Sequence, residues 1–280
     1  MTQPDPAGAR VAAFFDLDGT LIPGSANIPL AKAAFKAGFV KKHELARDLA
    51  RNLSFMLIGA SDDRSAEVRD RILQGVSGRP ASEIEALADD FLDDLVATIE
   101  PAVQVVLDEH RAAGHELVLI SASPTEIVQR FAVASGMDYG RGTTAERDSD
   151  GRYTGRIEGP FCYKEGKAEV LRALAAEHGY DLAQCYAYSD SVSDEPMMRA
   201  VGHPVAVNPD NALRTMALRG GWTVLETGRL RAHFEPVRRT VRYVSKAWAA
   251  CSHRIAAWRG HRGQAHREPA NVVEEQTARD

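Results

Sequence analysis

The stretch Val11-Ala12-Ala13-Phe14-Phe15-Asp16-Leu17-Asp18-Gly19-Thr20-Leu21 decides how the rest of the chain is read. Its first five residues form an unbroken apolar run, which is what a strand buried on both faces of a parallel sheet requires. The run ends in two carboxylates two residues apart, followed by a glycine. Acids this close repel each other unless a cation or a proton intervenes, and carboxylate oxygens suit Mg²⁺, an ion that also holds phosphate. Read alone, Asp-x-Asp-Gly is more often an exposed turn. Its place just past a buried strand is what gives it weight.

Working outward, Leu117 to Ile120 and Cys185 to Tyr188 are two further β-rich apolar runs that end in small or acidic residues. Val205 to Val207 and Trp222 to Leu225 read as two more strands, with helical patterns between all of them. The expected fold class is therefore α/β, an open Rossmann-like parallel sheet of about five strands, with ligands at the carboxyl ends of the strands. Asp16, Ser121 and Asp190 all fall at such ends. Between the first two strands, residues 23–97 read as helices throughout: Leu49, Leu53, Met56 and Leu57 recur at helical spacing, as do Ile84, Leu87, Phe91 and Leu95. Candidate caps at Ser61, Asp62 and Ser82 punctuate this helical insert, which is too long for a crossover and could close over a site. The expected organisation is a flexible start over 1–10, a core from 11–22 and 98–228, and the inserted cap over 23–97. A basic amphipathic helix over 229–267 and a disordered tail over 268–280 follow. Within the core, Asp150-Gly151 marks a β-hairpin over 143–160.

Composition narrows the function classes. The 280 residues carry a formal charge of −5, so nothing global attracts nucleic acid, and no nucleic-acid partner is expected. Three distant cysteines, Cys162, Cys185 and Cys251, suggest neither a disulfide framework nor a zinc site. The first ten residues do not read as a signal peptide, and no apolar run approaches the ~20 residues of a bilayer crossing. A cytoplasmic protein, soluble or peripheral at a membrane, is the expectation. The exception in charge is 229–267, where Val237, Val241, Val244, Trp248, Cys251, Ile255 and Trp258 form a heptad seam flanked by arginines and Lys246. Such a face packs against the protein's own body or another copy, or lies on an anionic membrane surface.

Three other segments carry polar chemistry at strand ends. Ser121-Ala122-Ser123-Pro124 puts hydroxyls before a helix, with Pro124 suited to its first turn; the hydroxyls either cradle an anion or cap the helix. Tyr163-Lys164-Glu165-Gly166-Lys167 places a lysine in the first turn of a helix, against the helix dipole, which an anion nearby would excuse. Ser189-Asp190-Ser191-Val192-Ser193-Asp194-Glu195-Pro196 again sets acids just beyond a strand.

With these segments in order, Asp16-Leu17-Asp18-Gly19-Thr20 resembles the first signature motif of the haloacid dehalogenase superfamily, and the helical insert points to its phosphoserine phosphatase-like branch. The resemblance implies that Asp16 is a nucleophile that becomes an aspartyl phosphate and that Asp18 is the acid and base. It implies that Ser121, in preference to Ser123, and Lys167, with Lys164 as the fallback, hold phosphate. It also implies that Asp190 joins Asp16 and the Asp18 main-chain carbonyl around Mg²⁺, with Asp194 in support. The family more often has Gly at the place of Ser189 and Asn at that of Ser193. Ser25 stands where phosphoserine phosphatases carry a charge-bearing Glu, and Arg71 is either their carboxylate-binding Arg or a surface residue. The expected activity is therefore hydrolysis of a small phosphorylated metabolite other than phosphoserine. A phosphotransferase or mutase, and a non-catalytic scaffold using the basic helix, are the alternatives.

Overall fold

The structure is a computed structural model that describes residues 10–37, 69–70 and 73–227. By its contacts the chain divides into Met1–Leu230 and Arg231–Asp280, and the second unit lies outside the described residues. The expectations for 1–9, 229–267 and 268–280, for most of the insert's first half, and for Arg71 lie outside them too.

A seven-stranded sheet runs in the order β4-β3-β2-β1-β5-β6-β7. In sequence the strands are β1 Ala12–Phe15, β2 Glu116–Pro124, β3 Tyr139–Arg147, β4 Tyr153–Glu158, β5 Tyr186–Ser189, β6 His203–Val207 and β7 Thr223–Leu225. All neighbours pair in parallel except β3 and β4, the antiparallel hairpin. The helices are α1 Asn27–Lys36, α2 Ala81–Asp89, α3 Leu92–Val96, α4 Pro101–Ala112, α5 Thr125–Ala134, α6 Glu165–His178, α7 Glu195–Arg199 and α8 Asn211–Gly220.

The apolar run of β1 explains its central place. Successive side chains of a strand point to opposite faces. Ala13 and Phe15 join Leu107, Leu119 and Phe131 on one face, where Ile84, Leu87 and Phe91 of the insert also pack. Ala12 and Phe14 join Ile120, Leu171, Met197 and Leu213 on the other. Helices thus cover both faces of a sheet in which the parallel strands β1, β2 and β5 end side by side around Asp16.

The sheet is wider than the sequence suggested, because β3 extends it in parallel before turning back as the expected hairpin. Gly140 and Gly142 make this strand read as a loop, yet the fold needs them. A Cβ at Gly140 would lie 2.6 Å from the Val128 carbonyl oxygen, and one at Gly142 would lie 2.5 Å from that of Ser123. Two helix starts also differ from expectation. Pro124 closes β2 and is the N-cap of α5, outside its first turn, and α2 begins at Ala81 behind Pro80, so Ser82 is not its cap.

Phe131 is fully buried in the face shared by core and insert. Its replacement by alanine is expected to cost about 3–5 kcal/mol through lost burial and a residual cavity. Denaturant unfolding measures this, and a loss below about 1 kcal/mol would contradict the packing described.

Candidate active site

The ends of β1, β2 and β5 and the first turn of α6 bring the polar residues together. Asp16 follows β1, and its amide donates to the Tyr188 carbonyl of β5 at 3.0 Å, which ties the two strand ends. The loop after it can close only because residue 19 is glycine. Gly19 has φ +80°, and a Cβ there would fall 2.2 Å from Oδ2 of Asp190. The Asp-x-Asp-Gly turn is thus shaped so that a carboxylate from another strand lies against its backbone. Thr20, fully buried, has its hydroxyl 3.5 Å from Oδ2 of Asp16 and 3.5 Å from Oδ1 of Asp190. Asp16 and Asp190 therefore converge on one point.

Lys167 enters from the first turn of α6 and is 3% exposed. Its Nζ donates to Oδ1 of Asp16 at 2.6 Å and to Oδ2 of Asp194 at 2.7 Å. Burial opposes its charge, but the two carboxylates outweigh burial and hold the ammonium protonated well above the usual lysine range. Lys164 does not share this place: its ammonium lies 5.8 Å from the centre of the Tyr163 ring. Ser189, where a glycine was the commoner expectation, donates its hydroxyl to the same Asp194 oxygen at 2.7 Å. Ser193 bonds Ser191 at 3.1 Å. The two serine departures thus supply bonds that orient the acidic loop.

One lysine does not balance the acids around it. Burial, then the neighbouring carboxylates, push Asp16 up to about 7 against the pull of Lys167. Burial, then Asp16 and Asp194, raise Asp190 as well. Asp18 is raised by burial and is opposed by two bonds, from the Ala26 amide at 2.8 Å and from the Ser25 hydroxyl at 2.8 Å. Those bonds hold its side chain toward the start of α1, so Ser25 meets Asp18 and carries no charge of its own.

Ser121 and Ser123 are both buried at the end of β2. The Ser123 amide donates to Oγ of Ser121 at 3.1 Å, while Oγ of Ser123 has no hydrogen-bond partner among the described residues. Cys162 links this turn to the charged cluster. Its amide donates to the Thr143 hydroxyl at 3.3 Å, which in turn donates to the Ala122 carbonyl at 2.9 Å; its thiol lies in the field of Lys167, Asp194 and Asp16, and burial pushes it up to about 12, so it stays neutral. Thr20 and Cys162 contribute although the sequence marks neither for a role at the site; Thr20 closes the first motif, and Ser189 stands out in the sequence only as a departure from the family's more frequent Gly.

Comparison with known proteins follows the same lines. The family pattern of haloacid dehalogenase-like hydrolases matches residues 13–199. A probable phosphatase of Mycobacterium tuberculosis is 37% identical over 79% of this chain and 77% of its own length. A phosphoserine phosphatase of the same organism is 34% identical over 78% and 71%. A histidinol-phosphatase of Neisseria meningitidis is 33% identical over 76% and 97%. Among solved structures, a protein of unknown function from Bordetella pertussis matches with TM-score 0.69 and 30% identity, over 79% of this chain and all (100%) of that one. The fold is also that of a substrate-bound phosphoserine phosphatase, with TM-score 0.56 and 18% identity over 81% and 98%. The chain belongs to the haloacid dehalogenase-like hydrolase family. It is a phosphatase of that family.

The raised Asp16 carboxyl has a testable consequence. Without metal, the folded protein holds a proton at Asp16 that the unfolded chain releases between the ordinary 3.8 and about 7, so this group's contribution to stability falls as pH rises through that window. In EDTA, Asp16→Asn is expected to gain stability relative to the parent as pH rises from about 4 to about 7. Denaturant midpoints across pH read the gap, and a gap that narrows would contradict the electrostatics described.

Proposed function

We propose that the chain is a Mg²⁺-dependent phosphomonoesterase that works through an aspartyl phosphate on Asp16. Its substrate is a small phosphorylated metabolite other than phosphoserine. The observation that carries this reading is the buried Lys167 shared by Asp16 and Asp194 beside Asp190, at the carboxyl ends of the central strands. The division into a core of 11–22 and 98–228 with a cap over 23–97 is part of the same proposal.

The residues suit Mg²⁺. Among the described residues no three His, Cys, Asp or Glu side chains form a ready-made cage. This ion is instead commonly held by one or two carboxylates, with water and substrate phosphate completing its shell. Asp16 and Asp190 would be those carboxylates, with the Asp18 main-chain carbonyl beside them. Their raised affinity for protons is the expected state of a cation site at rest. When bound, the ion would offset negative charge on the phosphoryl group and favour the ionised form of Asp16.

The side chains then have distinct tasks. Ser121 and the backbone of its turn, at the N-terminus of α5, together with Lys167, bind phosphate oxygens. A carboxylate oxygen of Asp16 attacks phosphorus, and the bond from phosphorus to the ester oxygen breaks. The Asp18 carboxyl gives its proton to that oxygen, so the alcohol leaves neutral. Water next loses a proton to the Asp18 carboxylate as its oxygen attacks phosphorus. The bond from phosphorus to Asp16 breaks, which returns the Asp16 carboxylate, inorganic phosphate and a protonated Asp18. Burial that favours the protonated form of Asp18 suits an acid that must arrive carrying its proton.

The relatives named for phosphoserine and for histidinol phosphate do not agree on a substrate, and Ser25, engaged with Asp18, offers no charge for an ammonium group. Turnover of a phosphate-ester panel with Mg²⁺ tests the specificity; efficient and selective phosphoserine hydrolysis would overturn it. On any substrate turned over, Asp16→Ala is expected to abolish activity, and Asp18→Asn to lower kcat by about 10²–10⁴. Chelation should stop the parent enzyme, and Mg²⁺ should restart it. A folded Asp16→Ala variant with near-parental turnover would reject the mechanism.

A further inference from the structure

The β3–β4 hairpin joins two parts of the molecule whose relative position bears on catalysis. At its base, β3 presses on the turn after β2: Gly142 has room for no side chain against Ser123 and Thr125. The Thr143 hydroxyl donates to the Ala122 carbonyl at 2.9 Å, and the hydroxyls of Thr125 and Thr144 meet at 2.9 Å. At its tip, the hairpin pairs with the insert as a short extra ladder. The Gly78 amide donates to the Tyr153 carbonyl at 2.7 Å, the Tyr153 amide to that of Arg79 at 3.0 Å, and the Ala81 amide to that of Gly151 at 3.1 Å.

One buried carboxylate ties these ends together. Glu126 lies in the first turn of α5, directly after the turn that carries Ser121 and Ser123, and is 5% exposed. Its Oε1 accepts from the Tyr153 hydroxyl at 2.7 Å and from Nη2 of Arg147 at 2.8 Å. The same Nη2 reaches Oε1 of Glu85 on α2 at 3.3 Å. Arg130 of α5 extends the link, to Asp89 at 2.5 Å and Glu85 at 3.8 Å.

Glu126 is buried while Arg147 is largely exposed, so this ion pair is a weak source of stability, but its bonds to the buried carboxylate demand one geometry. Its location also has a charge consequence. A carboxylate in the first turn of α5 would weaken an anion at the same helix end, and Arg147 offsets it. We propose that Glu126 is a positioning residue of the phosphatase, holding the turn 121–125 and the insert segment 78–89 in one register through Arg147 and Tyr153. The proposal rests on the reading that this turn binds the transferred phosphate.

The test uses p-nitrophenyl phosphate with Mg²⁺, and inorganic phosphate as inhibitor, on the full chain and on Asp16→Asn, Glu126→Gln, Arg147→Met, Arg147→Lys and Tyr153→Phe. Glu126→Gln is expected to lower kcat/KM about tenfold to a hundredfold, the scale of a catalytic group displaced by about 1 Å. The inhibition constant for phosphate is expected to rise with it while circular dichroism stays native. Arg147→Met should weaken phosphate inhibition, and Arg147→Lys should recover most of it. A folded Glu126→Gln variant with kcat, KM and phosphate inhibition all within about twofold of the parent would overturn the proposal, even if its melting temperature falls. Should Glu126→Gln fail to fold, Tyr153→Phe decides by the same measures, since it removes one donor and leaves the ion pair. An inactive Asp16→Asn beside a normal Glu126→Gln sinks only this inference, whereas an active Asp16→Asn sinks the phosphatase mechanism itself.

Discussion

A single buried ammonium faces more negative charge than it can neutralise, and the rest of the site follows from that imbalance. Lys167 binds Asp16 and Asp194 at 2.6 and 2.7 Å, and Asp190 stands close by with no ion pair among the described residues. Removing charges from water is costly unless they are paired and bonded. The structure answers with Thr20 against Asp16 and Asp190, Ser189 against Asp194, and Ser25 with the Ala26 amide against Asp18. What these bonds leave over shows as carboxyls that hold protons too tightly for their type. That surplus is a poor arrangement for stability, and it is what the proposed divalent ion would offset.

The fold serves this arrangement by simple means. Apolar runs put β1 and its neighbours in the middle of the sheet, so that their carboxyl ends lie side by side and each ends in a polar residue. Side-chain alternation along β1 sends Phe14 toward the face on which α6 packs, and Leu171 on that helix fixes the turn that delivers Lys167. The opposite face receives Phe15 and the described helices of the insert. One sheet therefore positions phosphate chemistry, while the insert is anchored beside the turn after β2.

Much of this was legible in the sequence because burial and catalysis left different marks. The runs at β1, β2 and β5 are apolar because parallel strands are buried on both faces, and each stops at a polar residue that the fold brings to the cluster around Lys167 or to the turn after β2. The first part of β3, which pairs in parallel with β2 ahead of the expected hairpin, was not legible, since Gly140 and Gly142 are there to let backbones touch, and close approach leaves no hydrophobic signature. The start of α2 was missed for a related reason: Pro80 supplies its entry geometry with no side-chain cap. Lys167 is a different case. Its local sequence is that of any solvated helix lysine, and only partners distant in the chain, 151 residues away at Asp16 and 27 away at Asp194, make it buried. The order of the four motifs pointed to it where local pattern did not. Ser189 and Ser25 are likewise readable only once Asp194 and Asp18 are known to be beside them.

In the metal-free protein Lys167 is a buried ammonium held jointly by Asp16 and Asp194. Nitrogen-detected NMR of the lysine side chains observes it directly, with Lys167→Arg for assignment. The Lys167 ammonium signal is expected to be protected from exchange, still protonated above the ordinary lysine value of 10.5, and shifted by both Asp16→Asn and Asp194→Asn. A Lys167 signal that exchanges like a surface lysine, titrates at or below 10.5, or ignores either substitution would contradict it.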